Sequence, residues 1–124
     1  MEAAKTLDRG ALLPEEILAL PTVEIPVAGV TGYSLNDDEK QVVFFIFEEG
    51  VSFPDHAHCE HRGMVVSGEV VLEIDGQTNL YQTGDTYCVP EGVKHRTHFS
   101  QRTVIIDMSD APDRYKVRGL STAG

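Results

Sequence analysis

Prolines at positions 21 and 26 close off helix early in the chain, because proline lacks the amide hydrogen that a helix interior needs. From there, turn residues interrupt the sequence every few positions and leave only short segments between them. Those segments are β-branched or alternate apolar with polar, at 22–25, 30–35, 41–47, 64–66, 69–75, 77–82, 86–89, 96–99 and 102–108. Asp75-Gly76 has the composition of a two-residue hairpin turn. Segment 41–47 is one glutamine followed by six apolar residues, which predicts a strand buried on both faces. Short strands at this spacing predict an all-β fold, a single small sandwich or barrel. Residues 1–21 read as a peripheral arm, with one helical turn where Pro14-Glu15-Glu16 opens Ile17-Leu18-Ala19-Leu20. The barrel is assigned to 22–110, and 111–124 reads as a polar tail that frays at its end.

The 124 residues fit one domain. Ten basic against twenty acidic side chains give a net charge of −10, which argues against nucleic-acid and anionic-membrane partners. The longest apolar run, 42–47, is far short of the ~20 residues of a membrane span. The amino terminus lacks a signal-peptide profile, since Pro14, Glu15 and Glu16 interrupt its apolar stretch. Cys59 and Cys88 form no disulfide framework, and the expected location is the reducing cytoplasm. Both cysteines read as small buried thiols.

All five histidines fall in two windows, His56/His58/His61 and His95/His98. Residues two apart on a strand share a face, roughly 6–7 Å apart, so His56 and His58 can address one metal ion. His61 joins them only if the chain bends at Cys59-Glu60, and Glu60 beside it offers an oxygen ligand instead. A regular strand from His95 puts His95, Thr97 and Phe99 on one face and Arg96 and His98 on the other. His98 therefore reads as structural rather than as a ligand.

The segment from Gly50 to His58, glycine followed five residues later by His-x-His, resembles the opening of the first cupin motif. The segment from Gly84 to His95, with Pro90 and Gly92 between, is similar to the second, and Gly68 fits the glycine that closes the first. The resemblance implies a small jelly-roll barrel holding a divalent transition metal (iron, manganese, nickel, zinc or copper). Cupins usually carry a glutamate ligand seven residues before that closing glycine, where this chain has His61. The loop from His58 is also a residue or two shorter than usual. Where the second motif often ends in asparagine, this chain has Phe99.

The ligand set the resemblance implies is thus His56, His58, His61 and His95. Parity favours His61 over Glu60, because Gly63, Val65 and Ser67 share its face and leave room for a metal and substrate. Glu60 shares a face with Arg62 and Met64. Four neutral imidazoles leave a divalent ion its full charge, which suits an anionic or chelating small molecule. On six-coordinate metal two positions stay open, whereas tetrahedral zinc would have none. The functional expectation is a metal-dependent dioxygenase, or a lyase or isomerase. The alternative is a non-catalytic barrel that binds or senses a small sugar or acid. A homodimer is expected, because Leu12-Leu13, Ile17-Leu18, Val23 and Ile25 exceed what so small a barrel buries alone.

Overall fold

The turn chemistry lays the chain out as short antiparallel strands. A computed structural model describes residues 12–56 and 60–118, the side chains of 54–56 excepted. Among these residues a one-turn helix, α1 (Glu15–Leu18), precedes β1 (Val30–Asn36), β2 (Gln41–Phe47), β3 (Ser52–His56), β4 (His61–Ser67) and β5 (Glu69–Ile74). There follow β6 (Gln77–Gln82), β7 (Thr86–Val89), β8 (His95–His98) and β9 (Thr103–Ser109). Five strands form one sheet in the order β1-β2-β9-β4-β7, and four form the other in the order β3-β8-β5-β6. The chain passes back and forth between the two sheets, as in a jelly roll. At the β5–β6 hairpin Asp75 and Gly76 have φ of 51° and 79°. Both are left-handed, as a type I′ turn requires.

The inner faces of the two sheets enclose Val43, Phe45, Phe47, Val65, Val70, Phe99 and Ile105, all buried. Burial of each such side chain contributes on the order of 1.5–3 kcal/mol. The outward side of β2 carries a second cluster, in which Ile46 packs with Val104 and with Leu13 from the arm, while Ile17, Tyr33 and Phe44 are half-buried. The arm is what makes an apolar outer face tolerable on this strand. Segment 22–25 is not a strand. Thr22 and Val23 form single bridges to Tyr33 and Val117, since the flanking prolines cannot donate to a longer ladder.

Residues 111–118 return to the sandwich, where Tyr115 packs against its core. Buried Gln41 holds them, its amide nitrogen donating to the Tyr115 carbonyl at 3.0 Å and its oxygen accepting from the Tyr115 amide at 2.9 Å. The same nitrogen donates to Ser34 Oγ at 3.1 Å. The Glu24 amide donates to the Lys116 carbonyl at 2.8 Å, and the Arg118 amide to the Thr22 carbonyl at 2.7 Å.

Candidate metal centre and cavity

The strand alternation carries His61 and His95 inward from opposite sheets. Both are buried, 6% and 2% exposed, and their ring centroids are 5.5 Å apart. His61 opens β4 in the larger sheet, while β3, which ends at His56, belongs to the smaller one. The chain therefore changes sheets between His56 and His61, and the alternation along β4 puts His61 on its buried side. The Cα of His56 is paired with that of His95 after an irregularity in the β3–β8 register. His58 lies outside the described residues, and for His56 the backbone alone is described. Among the described side chains no three of His, Cys, Asp and Glu form a metal-binding group.

The donor chemistry of the pair fits a metal. His95 Nδ1 lies 3.0 Å from the Val93 carbonyl oxygen. A carbonyl only accepts, so Nδ1 carries the proton and Nε2 bears the lone pair, the tautomer a metal-binding imidazole needs. Glu60 is exposed on the outside, where its carboxylate accepts from Cys88 Sγ at 3.3 Å. Cys88 is itself exposed, contrary to the buried thiol expected. On the edge strand β7, Tyr87 and Val89 take the inner side and parity turns Cys88 out. Partial desolvation and then the Glu60 carboxylate push its thiol pKa up, so it is held protonated. His98 also faces out, its Nδ1 2.6 Å from Ser52 Oγ.

Between the sheets lies a cavity of about 80 Å³, whose lining includes His61, His95, Phe47, Phe99, Asp107 and Tyr115. A cavity needs roughly 10–15 Å³ to admit one water, so the space suits a ligand of a few heavy atoms. Phe99 stacks on Phe47 at 4.0 Å between centroids, 9° from parallel, and forms an apolar wall. The room expected over Gly63 is taken up. A Cβ at Gly63 would collide with the phenol ring of Tyr87, which lies over the glycine.

Beside it, Asp107 on β9 is Cα-paired with Gly63. Its Oδ1 accepts from Arg114 Nη1 at 3.2 Å, and both side chains are at least nine-tenths buried. Arg114 also stacks over the Tyr115 ring, 4.6 Å from its centroid. Burial pushes the Asp107 carboxyl up to about 6, against the opposing pull of Arg114 and then Arg62. Burial, reinforced by the Asp107 charge, pushes the Tyr87 phenol far above its ordinary value. Sequence reasoning passed over Asp107 and Arg114. A legible signal was there, a lone charge at an inward position of the apolar strand Val104-Ile105-Ile106-Asp107-Met108.

The cupin domain family matches residues 43–107, just over half of the chain. The chain belongs to the cupin family. Solved structures agree on this cupin fold. An RmlC-like cupin from Shewanella frigidimarina is 27% identical over 76% of this chain and 86% of its own, with a TM-score of 0.67. KdgF from Halomonas is 21% identical over 73% and 87%, with a TM-score of 0.64. Salicylate 1,2-dioxygenase from Pseudoaminobacter salicylatoxidans, solved with gentisate adducts, is 17% identical over 77% of this cupin and 31% of its own chain, with a TM-score of 0.64. No curated protein matches this cupin. No helix among its described residues is long and apolar enough to cross a membrane.

Proposed function

We propose that this cupin binds one divalent transition metal through His56, His58, His61 and His95 and acts on a small anionic or chelating molecule. The observation that carries the reading is the inward-facing His61–His95 pair, 5.5 Å between ring centroids, with His95 Nδ1 committed to the Val93 carbonyl. A bound divalent ion would supply Lewis acidity, drawing electron density from a coordinated carbonyl or carboxylate. The chain's own residues do the rest. Phe47, Phe53, Leu72 and Phe99 exclude water, and the small volume selects compact ligands. Val93 fixes the His95 ring. That the dioxygenase relative was solved with gentisate supports a chelating acid as ligand.

The reading includes a homodimer, on narrower grounds than the sequence suggested. The chain buries Leu13 and Val23 itself, and Leu12, Leu18 and Leu35 remain 39%, 38% and 56% exposed.

The test is metal content after purification without chelator. His61→Ala and His95→Ala should each lose most of the metal, and Glu60→Gln should keep it. Loss in Glu60→Gln with retention in His61→Ala would overturn the ligand set. A protein that holds no metal yet binds small acids would be the non-catalytic barrel instead.

A further inference from the structure

We propose that Asp107 is the proton-transferring residue of this site, acting on a small 2-oxo or 2-hydroxy acid, with Arg114 as its positioning residue. The inference rests on the metal-site reading above and narrows its chemistry to proton transfer of the isomerase or lyase kind. Three features of the structure converge on it. Among the residues described at the cavity wall, Asp107 is the one carboxylate, and it shares the wall with both imidazoles. It is nine-tenths buried, which is costly for an acid without a purpose in the core. Its side chain accepts from Arg114 through Oδ1, so one oxygen is anchored in a residue that lines the cavity.

The groups around it are few. Arg114 is in contact, Arg62 acts from β4 at longer range, and Tyr87, Tyr115, His61 and His95 share the cavity. The balance of burial against the two arginines leaves the carboxyl near 6, within the range where an acid both accepts and returns a proton at neutral pH.

The step balances with no oxidant or co-reactant. The Asp107 carboxylate takes the proton from the carbon next to the substrate carbonyl. The C–H pair becomes the C=C bond, and the carbonyl π pair moves to oxygen as an enolate. While it holds the proton, the Asp107 carboxyl trades it with solvent; delivery of the solvent-derived proton to the same carbon is exchange, and delivery to a neighbouring carbon is isomerisation. The apolar wall of Phe47 and Phe99 keeps solvent from intercepting the enolate.

Pyruvate is the probe, since its methyl protons report enolisation directly. The metal-loaded protein as purified is placed in D2O with pyruvate. Loss of the methyl proton signal gives the exchange rate, pyruvate binding is measured by calorimetry, and metal is measured by elemental analysis. Asp107→Asn, nearly isosteric, should keep metal and bind pyruvate within about threefold, yet exchange at least ~100-fold more slowly. Asp107→Ser should behave likewise and guards against a variant that misfolds. Arg114→Lys should retain most of the exchange, while Arg114→Ala should move the inflection of its pH profile upward, because the cation that favours the carboxylate is gone. Exchange in Asp107→Asn within threefold of the unmodified protein would overturn the proposal. So would an unmodified protein that binds both metal and pyruvate without exchanging. Absence of metal from the unmodified protein would instead defeat the metal-site reading, and this one with it, whereas loss of metal in Asp107→Asn alone would make Asp107 a ligand and overturn its proton-transfer role.

Discussion

Asp107 should make this protein lose stability as pH rises from 4 to 7, in opposition to the usual behaviour of native carboxylates. The perturbation is Asp107→Asn, which removes the titration and keeps the shape. Burial raises the carboxyl from 3.8 in the unfolded chain to about 6 in the folded one. Between those values the folded protein holds a proton that the unfolded chain has released, so the unfolding free energy falls with increasing pH. At about 1.4 kcal/mol per pH unit, that interval corresponds to a cost of about 3 kcal/mol, fully present above pH 6 and absent below the unfolded value. The attraction of Arg114 is already inside that figure, because it is one of the forces that set the folded value. Asp37, Glu69 and Asp110 are displaced the other way. Backbone hydrogen bonds from Glu39 and Lys40 lower the first, hydrogen bonds from Gln82 and Ser100 the second, and those from Arg62 and Lys40 the third. Their contributions are lost as pH falls through the acid range, alike in both proteins, and cancel in the comparison.

The assay is urea unfolding of both proteins at half-unit intervals from pH 4 to pH 7, at constant ionic strength and with chelator present. Histidine protonation then cannot act through metal release. The stability difference, Asn variant minus unmodified protein, should grow by about 3 kcal/mol across the range. Two curves that stay parallel within about 0.5 kcal/mol would refute the reasoning, because they would mean that Asp107 titrates equally in the folded and unfolded chains. A difference that shrinks with pH would place Arg114 in control of the carboxylate, with burial the lesser force.

Two further outcomes follow from the packing. Gln41→Leu should cost about 2–4 kcal/mol, since the Tyr115 amide and carbonyl lose their partners together. Amide hydrogen exchange at Tyr115 should accelerate well before the sheets open. In solution, light scattering at micromolar concentration should give twice the 13.6 kDa chain mass, and Leu35→Glu should shift it toward the single-chain value. A mass of one chain at every concentration would remove the dimer.

Much of the fold was legible because strand and turn signals are local. The bounds of β2, β6 and β7 stand where the sequence put them, and Asp75-Gly76 forms the hairpin its composition dictates. The alternation on β8 likewise buries His95 and Phe99 and exposes Arg96 and His98. Contacts across the sandwich were not legible. Nothing near Gly63 in sequence announces that the phenol of Tyr87, 24 residues on, fills the space above it. Arg114 and Tyr115 sit in a segment whose polarity suggests a tail. Their placement depends on Gln41, more than 70 residues away, and parity within a strand carries no information at that range. The reading of 22–25 as a strand failed for a different reason. Its alternation is real, but Pro21 and Pro26 deny the neighbouring strand a continuous row of donors.

The charge balance of the cavity argues for the kind of ligand proposed. Imidazole ligands carry no charge, and Asp107 with Arg114 forms a neutral pair at 3.2 Å. A divalent ion there would therefore meet no compensating charge from the described wall, and the low-dielectric surroundings of Phe47, Phe99 and Leu72 make an uncompensated charge costly. An anionic chelator removes that cost, where a neutral alcohol would leave it standing. The chain's net charge of −10 opposes the approach of an anion, yet salt screens surface charges beyond about 8 Å at physiological strength. Within the cavity the nearest charges decide. On the proposed function, selection of the ligand would fall to the wall around His61, His95 and Asp107.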